Sequence, residues 1–239
     1  MTLKIAISGC LGRMGQRIIH LAGQDPDFQI TTLLERADYG GPAESNGITI
    51  QTDPGTVKGC DILIEFTTPQ ATLAHLQTCR ELGVRMVIGT TGLTLEQVRD
   101  IEAAAKTIPI VYSSNMSIGV NILFKLAQIL ASTAPDTYTV TMNEAHHIHK
   151  KDAPSGTAKT LKNIVEQNSR HTVQDIQSVR EGEIIGDHGV TFDSELDQIT
   201  ISHHAKTRDI FAVGALVAAK FLVDKSSGLF DMQDVLGLK

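Results

Sequence analysis

Tryptophan is absent from the 239 residues and aromatic side chains make up only 4%. The core must therefore rest on Ile, Leu, Val and Ala, a bias common among α/β proteins. Cysteine is scarce as well, with Cys10, Cys60 and Cys79 alone. An odd number without paired or metal-type spacing suggests no disulfide framework and is what a reduced, cytosolic protein would show. Positive charge is in deficit, the formal net charge being −6, which argues against phosphate-driven nucleic-acid binding. No run approaches the roughly 18 apolar residues of a membrane span. The opening MTLKIAISGC passes from a short apolar stretch into glycine, which is not the pattern of a signal peptide. A cytoplasmic protein without a membrane or nucleic-acid partner is expected.

What is present is an alternation of short β-branched runs with longer helical segments up to about residue 113, the pattern of βαβ units feeding a parallel sheet. Strands are expected at Leu3 to Ser8, Ile30 to Glu35, Asp61 to Phe66, Arg85 to Ile88 and Ile108 to Tyr112. Helices are expected at Gly12 to Gly23, Thr72 to Leu82 and Leu95 to Lys106. This is a Rossmann-type, doubly wound parallel sheet. The texture then changes. A long apolar helix from about Ser117 to Ser132 precedes a Thr-rich alternating strand, Thr137 to Glu144, typical of a half-buried sheet. A helix from Ser155 to Asn168 and strands near Ile176 to Val179, Val190 to Phe192 and Gln198 to His203 complete a second, α+β domain on a mixed sheet. Phe211 to Val223 reads as a final helix. The division expected is 1–115, 116–207 and 208–239.

Between the first strand and first helix the chain reads G-C-L-G-R-M-G, placing Gly9, Gly12 and Gly15 where a tight turn and a helix N-terminus could approach a pyrophosphate. The last two glycines keep the spacing of the dinucleotide fingerprint and the first falls one residue early. Glu35, 20 positions after Gly15, is placed to accept hydrogen bonds from an adenosine ribose. Arg36 follows and could pair with a 2′-phosphate. NADH, NADPH or both are therefore open. Gly89-Thr90-Thr91-Gly92 and Ser113-Ser114-Asn115 each follow a strand at the sheet edge where ligands bind in this architecture.

The second concentration of chemistry is E-A-H-H-I-H-K-K-D-A-P-S-G-T-A, Glu144 to Ala158. His146, His147, His149, Lys150 and Lys151 fall within six residues, a supply of proton donors and cations suited to an anionic carbon acid. Pro154 and Ser155 mark a helix start whose N–H groups around Gly156 and Thr157 would hold a carboxylate, with Lys159 and Lys162 adding charge. A metal site built on His146 and His149 is the competing reading, but no third ligand is evident and none is assigned.

Together, G-C-L-G-R-M-G, I-G-T-T-G, S-N-M-S-I-G-V-N, the histidine run and S-G-L-F-D-M resemble the dihydrodipicolinate reductase family nearly end to end. The resemblance implies NAD(P)H-dependent reduction of 4-hydroxy-tetrahydrodipicolinate to tetrahydrodipicolinate in diaminopimelate and lysine biosynthesis. It implies that His146 and Lys150 are catalytic, and that His147, Gly156 and Thr157 bind the dicarboxylate substrate. It implies cofactor contacts at Gly9, Cys10, Leu11, Gly12, Arg13, Met14, Glu35, Arg36, Gly89, Thr90, Thr91, Ser113, Ser114, Asn115 and Met116. It also implies a homotetramer assembled through the second domain and a C-terminal segment that returns to the first. Ile148 stands where many members have Arg, and the glycine-rich excursion before Arg180 is shortened. An amino-acid dehydrogenase on the same scaffold, or a nucleotide-sensing protein without turnover, are the other functions such a nucleotide domain could serve. The clustered proton donors distinguish the reductase from a sensor.

Overall fold

The computed structural model describes residues 2–36, 38–41 and 43–239. The chain divides into two compact units, one of Met1–Met116 with Phe211–Gly237 and Lys239, the other of Ser117–Ile210 with Leu238.

In the first unit, β1 (Leu3–Ser8), β2 (Phe28–Leu34), β3 (Glu44–Ser45), β4 (Ile48–Gln51), β5 (Ile62–Glu65), β6 (Arg85–Ile88), β7 (Pro109–Tyr112) and β12 (Gly228–Phe230) form one sheet in the order β12-β7-β6-β5-β1-β2-β4-β3. All pairings are parallel except β3 with β4. Ile62, Leu63 and Ile64 are fully buried, as the continuous apolar run of a strand covered on both faces requires. The helices are α1 (Arg13–Ala22), α2 (Pro69–Leu82), α3 (Leu95–Ala104), α6 (Asp209–Phe221) and α7 (Met232–Val235). Thr68 caps α2, its hydroxyl accepting from Ala71 N with Pro69 in the first turn, and Thr94 with Gln97 forms a capping box on α3. The strand order reverses at β1, so the crevice beyond Ser8 and Glu65 is the topological switch point where this architecture binds ligands.

In the second unit, β8 (Thr139–His146), β9 (Val173–Arg180), β10 (Asp187–Asp193) and β11 (Gln198–His204) form a mixed sheet in the order β11-β10-β8-β9, with β8 and β9 parallel and the other pairs antiparallel. Against it lie α4 (Ile118–Thr133) and α5 (Gly156–Asn168). Their buried residues recur at helical spacing, Val120, Leu123, Phe124, Ala127 and Ala131 on one, Ala158, Leu161 and Val165 on the other. They close a core over Val140, Met142, Val190 and Phe192.

The sequence reading places a strand end at Glu144, whereas β8 runs on to His146. The extension is made by pairing Ala145 with Asp187 of β10 and His146 with Arg180 of β9. The short strands β4 and β12 and the lengthened β9 and β10 likewise depend on long-range pairing, whereas β3 joins β4 in a local hairpin closed by Asn46-Gly47.

Candidate active site

The glycine turn of the first unit has the shape a dinucleotide needs. Gly9 adopts φ +65, a left-handed conformation natural to glycine. A Cβ at Gly15 would lie 2.2 Å from the Gly9 carbonyl oxygen, so the first turn of α1 can close on the loop only because Gly15 has none. At the end of β2, Glu35 accepts hydrogen bonds from Leu11 N and Arg36 N, each at 3.3 Å. The carboxylate that would meet a ribose is thereby tied to the phosphate-side loop. Arg36 is exposed and its Nε lies 3.3 Å from Asp38.

The other residues expected around the cofactor range from exposed to buried. Gly12, Arg13, Thr91 and Ser114 are exposed, and Leu11, Met14, Gly89, Ser113 and Asn115 are half-buried. Cys10, Thr90 and Met116 are buried, so their side chains pack the floor of the loops. Burial, followed by the charge of Glu35, raises the Cys10 thiol to about 11, which keeps it protonated and unreactive. Ser113 Oγ donates to Asn115 O at 2.9 Å, shaping the third loop.

In the second unit the histidine run begins on a strand. Residues two apart on a strand share a face, and this alternation brings Glu144 and His146 together, both buried. His146 Nδ1 lies 2.5 Å from Glu144 Oε2. The other carboxylate oxygen accepts from Arg180 Nη2 at 2.8 Å, and the same nitrogen donates to the Asp152 carbonyl at 2.5 Å. Lys150 Nζ pairs with Asp152 Oδ1 at 2.8 Å. Hydrogen bonds from His146 through Glu144 and Arg180 thus reach the backbone of Asp152, whose side chain holds Lys150. Burial pushes the Glu144 carboxyl up, but the hydrogen bonds from Arg180 and its neighbours outweigh this and hold it below its usual value. His146 is pushed down, burial outweighing the nearby carboxylate. With Nδ1–H held by Glu144, Nε2 is the nitrogen left for chemistry.

The helix start expected at Ser155 is present. Ser155 Oγ accepts from Ala158 N at 3.2 Å, leaving Gly156 and Thr157 in the first turn of α5 at its positive end. His147 has a buried Nδ1 without a partner among the described residues, and burial, followed by the charge of Arg208, lowers its pKa.

Sequence reasoning missed Arg180 and His188. His188 pairs across the sheet with Glu144, its ring meets His146 edge-on with centroids 5.0 Å apart, and its Nε2 lies 3.1 Å from Ser155 Oγ. Burial, followed by repulsion from His146, takes its pKa from 6.5 down to about 4. His188 is neutral in the fold but is protonated near pH 6.5 when the chain unfolds. Stability is therefore complete above pH 6.5 and is lost as the pH falls toward 4, by about 3 kcal/mol in full. His188→Gln is expected to flatten the fall of the urea midpoint across that window. Equal falls for variant and wild type would contradict the assignment.

The pair weighed as metal ligands is not assembled as one. His146 faces Glu144, while His149 is exposed with Nε2 3.4 Å from Glu183. Glu144, His146 and His188 do bring ligand-type atoms within 4.8 Å of one another. The Arg180 guanidinium and the His146 ring already occupy the two carboxylate oxygens. Ile148 is 60% exposed and faces solvent.

Two family models match the chain, "Dihydrodipicolinate reductase, N-terminus" over residues 3–116 and "Dihydrodipicolinate reductase, C-terminus" over residues 119–236. Among curated relatives, the 4-hydroxy-tetrahydrodipicolinate reductase of Nitrosomonas europaea is 40% identical over 265 residues, covering 99% of both chains. That of Ralstonia nicotianae is 41% identical over 264 residues, covering 99% of this chain and all of the relative. Both alignments are longer than this chain, so the relatives carry segments that it lacks. The dipicolinate-bound dihydrodipicolinate reductase of Paenisporosarcina sp. TG-14 superimposes with a TM-score of 0.84 at 24% identity, covering 98% of this chain and 99% of that one.

Proposed function

The chain belongs to the dihydrodipicolinate reductase family, and from that premise we propose how its residues divide the work of an NAD(P)H-dependent 4-hydroxy-tetrahydrodipicolinate reductase serving diaminopimelate and lysine synthesis. The observation that carries the reading is the buried Glu144–His146 pair, linked through Arg180 and Asp152 to Lys150 and followed directly by the α5 start.

Gly9 to Met14, Glu35, Arg36, Gly89 to Thr91 and Ser113 to Met116 hold the dinucleotide. When bound, it supplies a hydride. The substrate gives up its 4-hydroxyl as water, the ring receives hydride at C4, and negative charge builds at C3. Lys150 delivers the proton to C3. His146, turned by Glu144 so that Nε2 is available, orients the acid and polarises the ring. His147 and the first turn of α5, Gly156 and Thr157, hold a carboxylate. Glu35 suits the ribose hydroxyls of NADH, and exposed Arg36 can exchange Asp38 for the 2′-phosphate of NADPH, so both cofactors are accepted.

Two further assignments belong to the same reading. The open face of the second unit's sheet, with Thr139, Thr141 and Asn143 exposed, joins copies into a homotetramer. The enzyme works in the cytoplasm. Among the described residues, no helix is long and apolar enough to cross a membrane.

The test is to couple the protein to purified dihydrodipicolinate synthase with pyruvate and aspartate semialdehyde, and to follow oxidation of NADH and of NADPH separately. Synthase-dependent oxidation of both is expected. Oxidation of neither would overturn the reading.

A further inference from the structure

Glu65, the last residue of β5, is fully buried and is not used by the mechanism above. The three residues before it are apolar and equally buried. A carboxylate in that position is costly unless partners satisfy it, and the partners here come from α2 and the loop that precedes it. His75 of α2 places Nδ1 2.6 Å from Oε2. Thr67 donates its hydroxyl to Oε1, and Thr72 donates to the same oxygen at 3.3 Å. Thr72 Oγ1 lies 2.8 Å from Thr90 Oγ1, which accepts from Thr67 N at 3.2 Å. Ser8 Oγ approaches His75 Nδ1 at 3.2 Å.

The cluster therefore ties together the ends of β1, β5 and β6. Ser8 precedes Gly9, and Thr90 follows Gly89, so each tied residue adjoins a loop assigned to the dinucleotide. The intervening segment supports both loops. A Cβ at Gly9 would lie 2.9 Å from Thr67 Cγ2, and one at Gly89 would lie 2.3 Å from the Phe66 ring. Displacing Phe66 and Thr67 would thus move both glycine loops. The cluster also lies at the point where the strand order reverses.

We propose that Glu65 and His75 are a positioning pair that holds the Gly9 and Thr90 loops in the conformation that receives the dinucleotide, and so sets cofactor affinity without touching the reacting ring. The proposal rests on the dinucleotide-binding reading of the first unit. A positional error of an ångström in a binding loop can cost on the order of 10²-fold.

The experiment titrates free enzyme with NADH and NADPH by the fluorescence of the reduced nicotinamide, then measures kcat at saturating cofactor. His75→Ala is expected to raise Kd for both cofactors by about tenfold or more, with kcat within about twofold of wild type. His75→Asn, which still presents an N–H to the carboxylate, is expected to recover most of the loss. Thr72→Val, nearly isosteric, removes the hydroxyl that bridges Glu65 to Thr90 and decides the matter if His75→Ala fails to fold; a several-fold rise in Kd is expected. Wild-type Kd in folded His75→Ala or Thr72→Val, or a kcat loss at unchanged Kd, would overturn the positioning role. Wild-type protein that binds neither cofactor would instead overturn the underlying dinucleotide assignment.

Discussion

Replacing Lys150 by alanine is expected to lower kcat by about 10²- to 10⁴-fold, the usual contribution of a positioned acid, while leaving the Kd for NADH and NADPH within about twofold of wild type. Hydride arrival at C4 is useful only if the charge left at C3 is quenched, and a lysine ammonium is a compact donor on a flexible stem. Its stem is not left to wander. Asp152 accepts from Nζ at 2.8 Å, and that hydrogen bond holds the Asp152 carboxyl below its usual pKa, so the partner remains an anion at neutral pH. Arg180 fixes the Asp152 backbone in turn. Lys150→Arg is expected to remain slow, because a guanidinium does not readily release its proton. Steady-state turnover with cofactor titration reads both quantities. A Lys150→Ala enzyme within threefold of wild-type kcat would remove Lys150 from the role of donor.

Glu144→Ala is expected to destabilise the protein by about 3 kcal/mol and to lower kcat at least tenfold. Glu144 is buried with both oxygens engaged, one by the His146 ring and one by Arg180. Removing it strands a buried imidazole N–H and leaves a largely buried guanidinium without its anion. It also releases His146 to rotate and Asp152 to drift, so stability and turnover fall together. Glu144→Gln retains the shape and one acceptor but not the charge, and an intermediate result is expected. Because the native carboxyl is held below its ordinary value, its contribution is fully present above the unfolded pKa near 4.3 and is lost as the pH falls through the native value. Urea unfolding of the alanine variant measures the first effect at neutral pH and a kcat measurement the second. A loss below about 1 kcal/mol with kcat intact would mean that the pair does not organise the site.

The halves of the molecule differed in how far their sequence disclosed them. The first unit was legible because its signals are local. Ile62 to Ile64 is a run that only a strand covered on both faces explains, and the Gly9, Gly12 and Gly15 spacing belongs to a turn that closes within seven residues. In the second unit, composition identified where proton chemistry would occur but not how it is held. Arg180 lies 36 residues from the carboxylate it pairs with, and His188 reaches Glu144 only because β10 folds back beside β8. The clue available in sequence was the alternation of Glu144 and His146, two residues apart and hence on one strand face. Reading the strand as ending at Glu144 hid it, because the extension to His146 depends on partners from β9 and β10. The Glu65 cluster was hidden for a similar reason. A glutamate closing an apolar run looks like the edge of a strand until His75 and Thr90 arrive from separate elements.

The central claim is that His146 and Lys150 act as one proton-handling unit, and the double variant His146→Ala/Lys150→Ala tests it most directly. Its kcat at saturating NADH and NADPH should equal that of the slower single variant, about 10²- to 10⁴-fold below wild type, because groups that act together are not additive when removed. A double variant slowed by the product of the two single losses, or one within threefold of wild type, would contradict the claim.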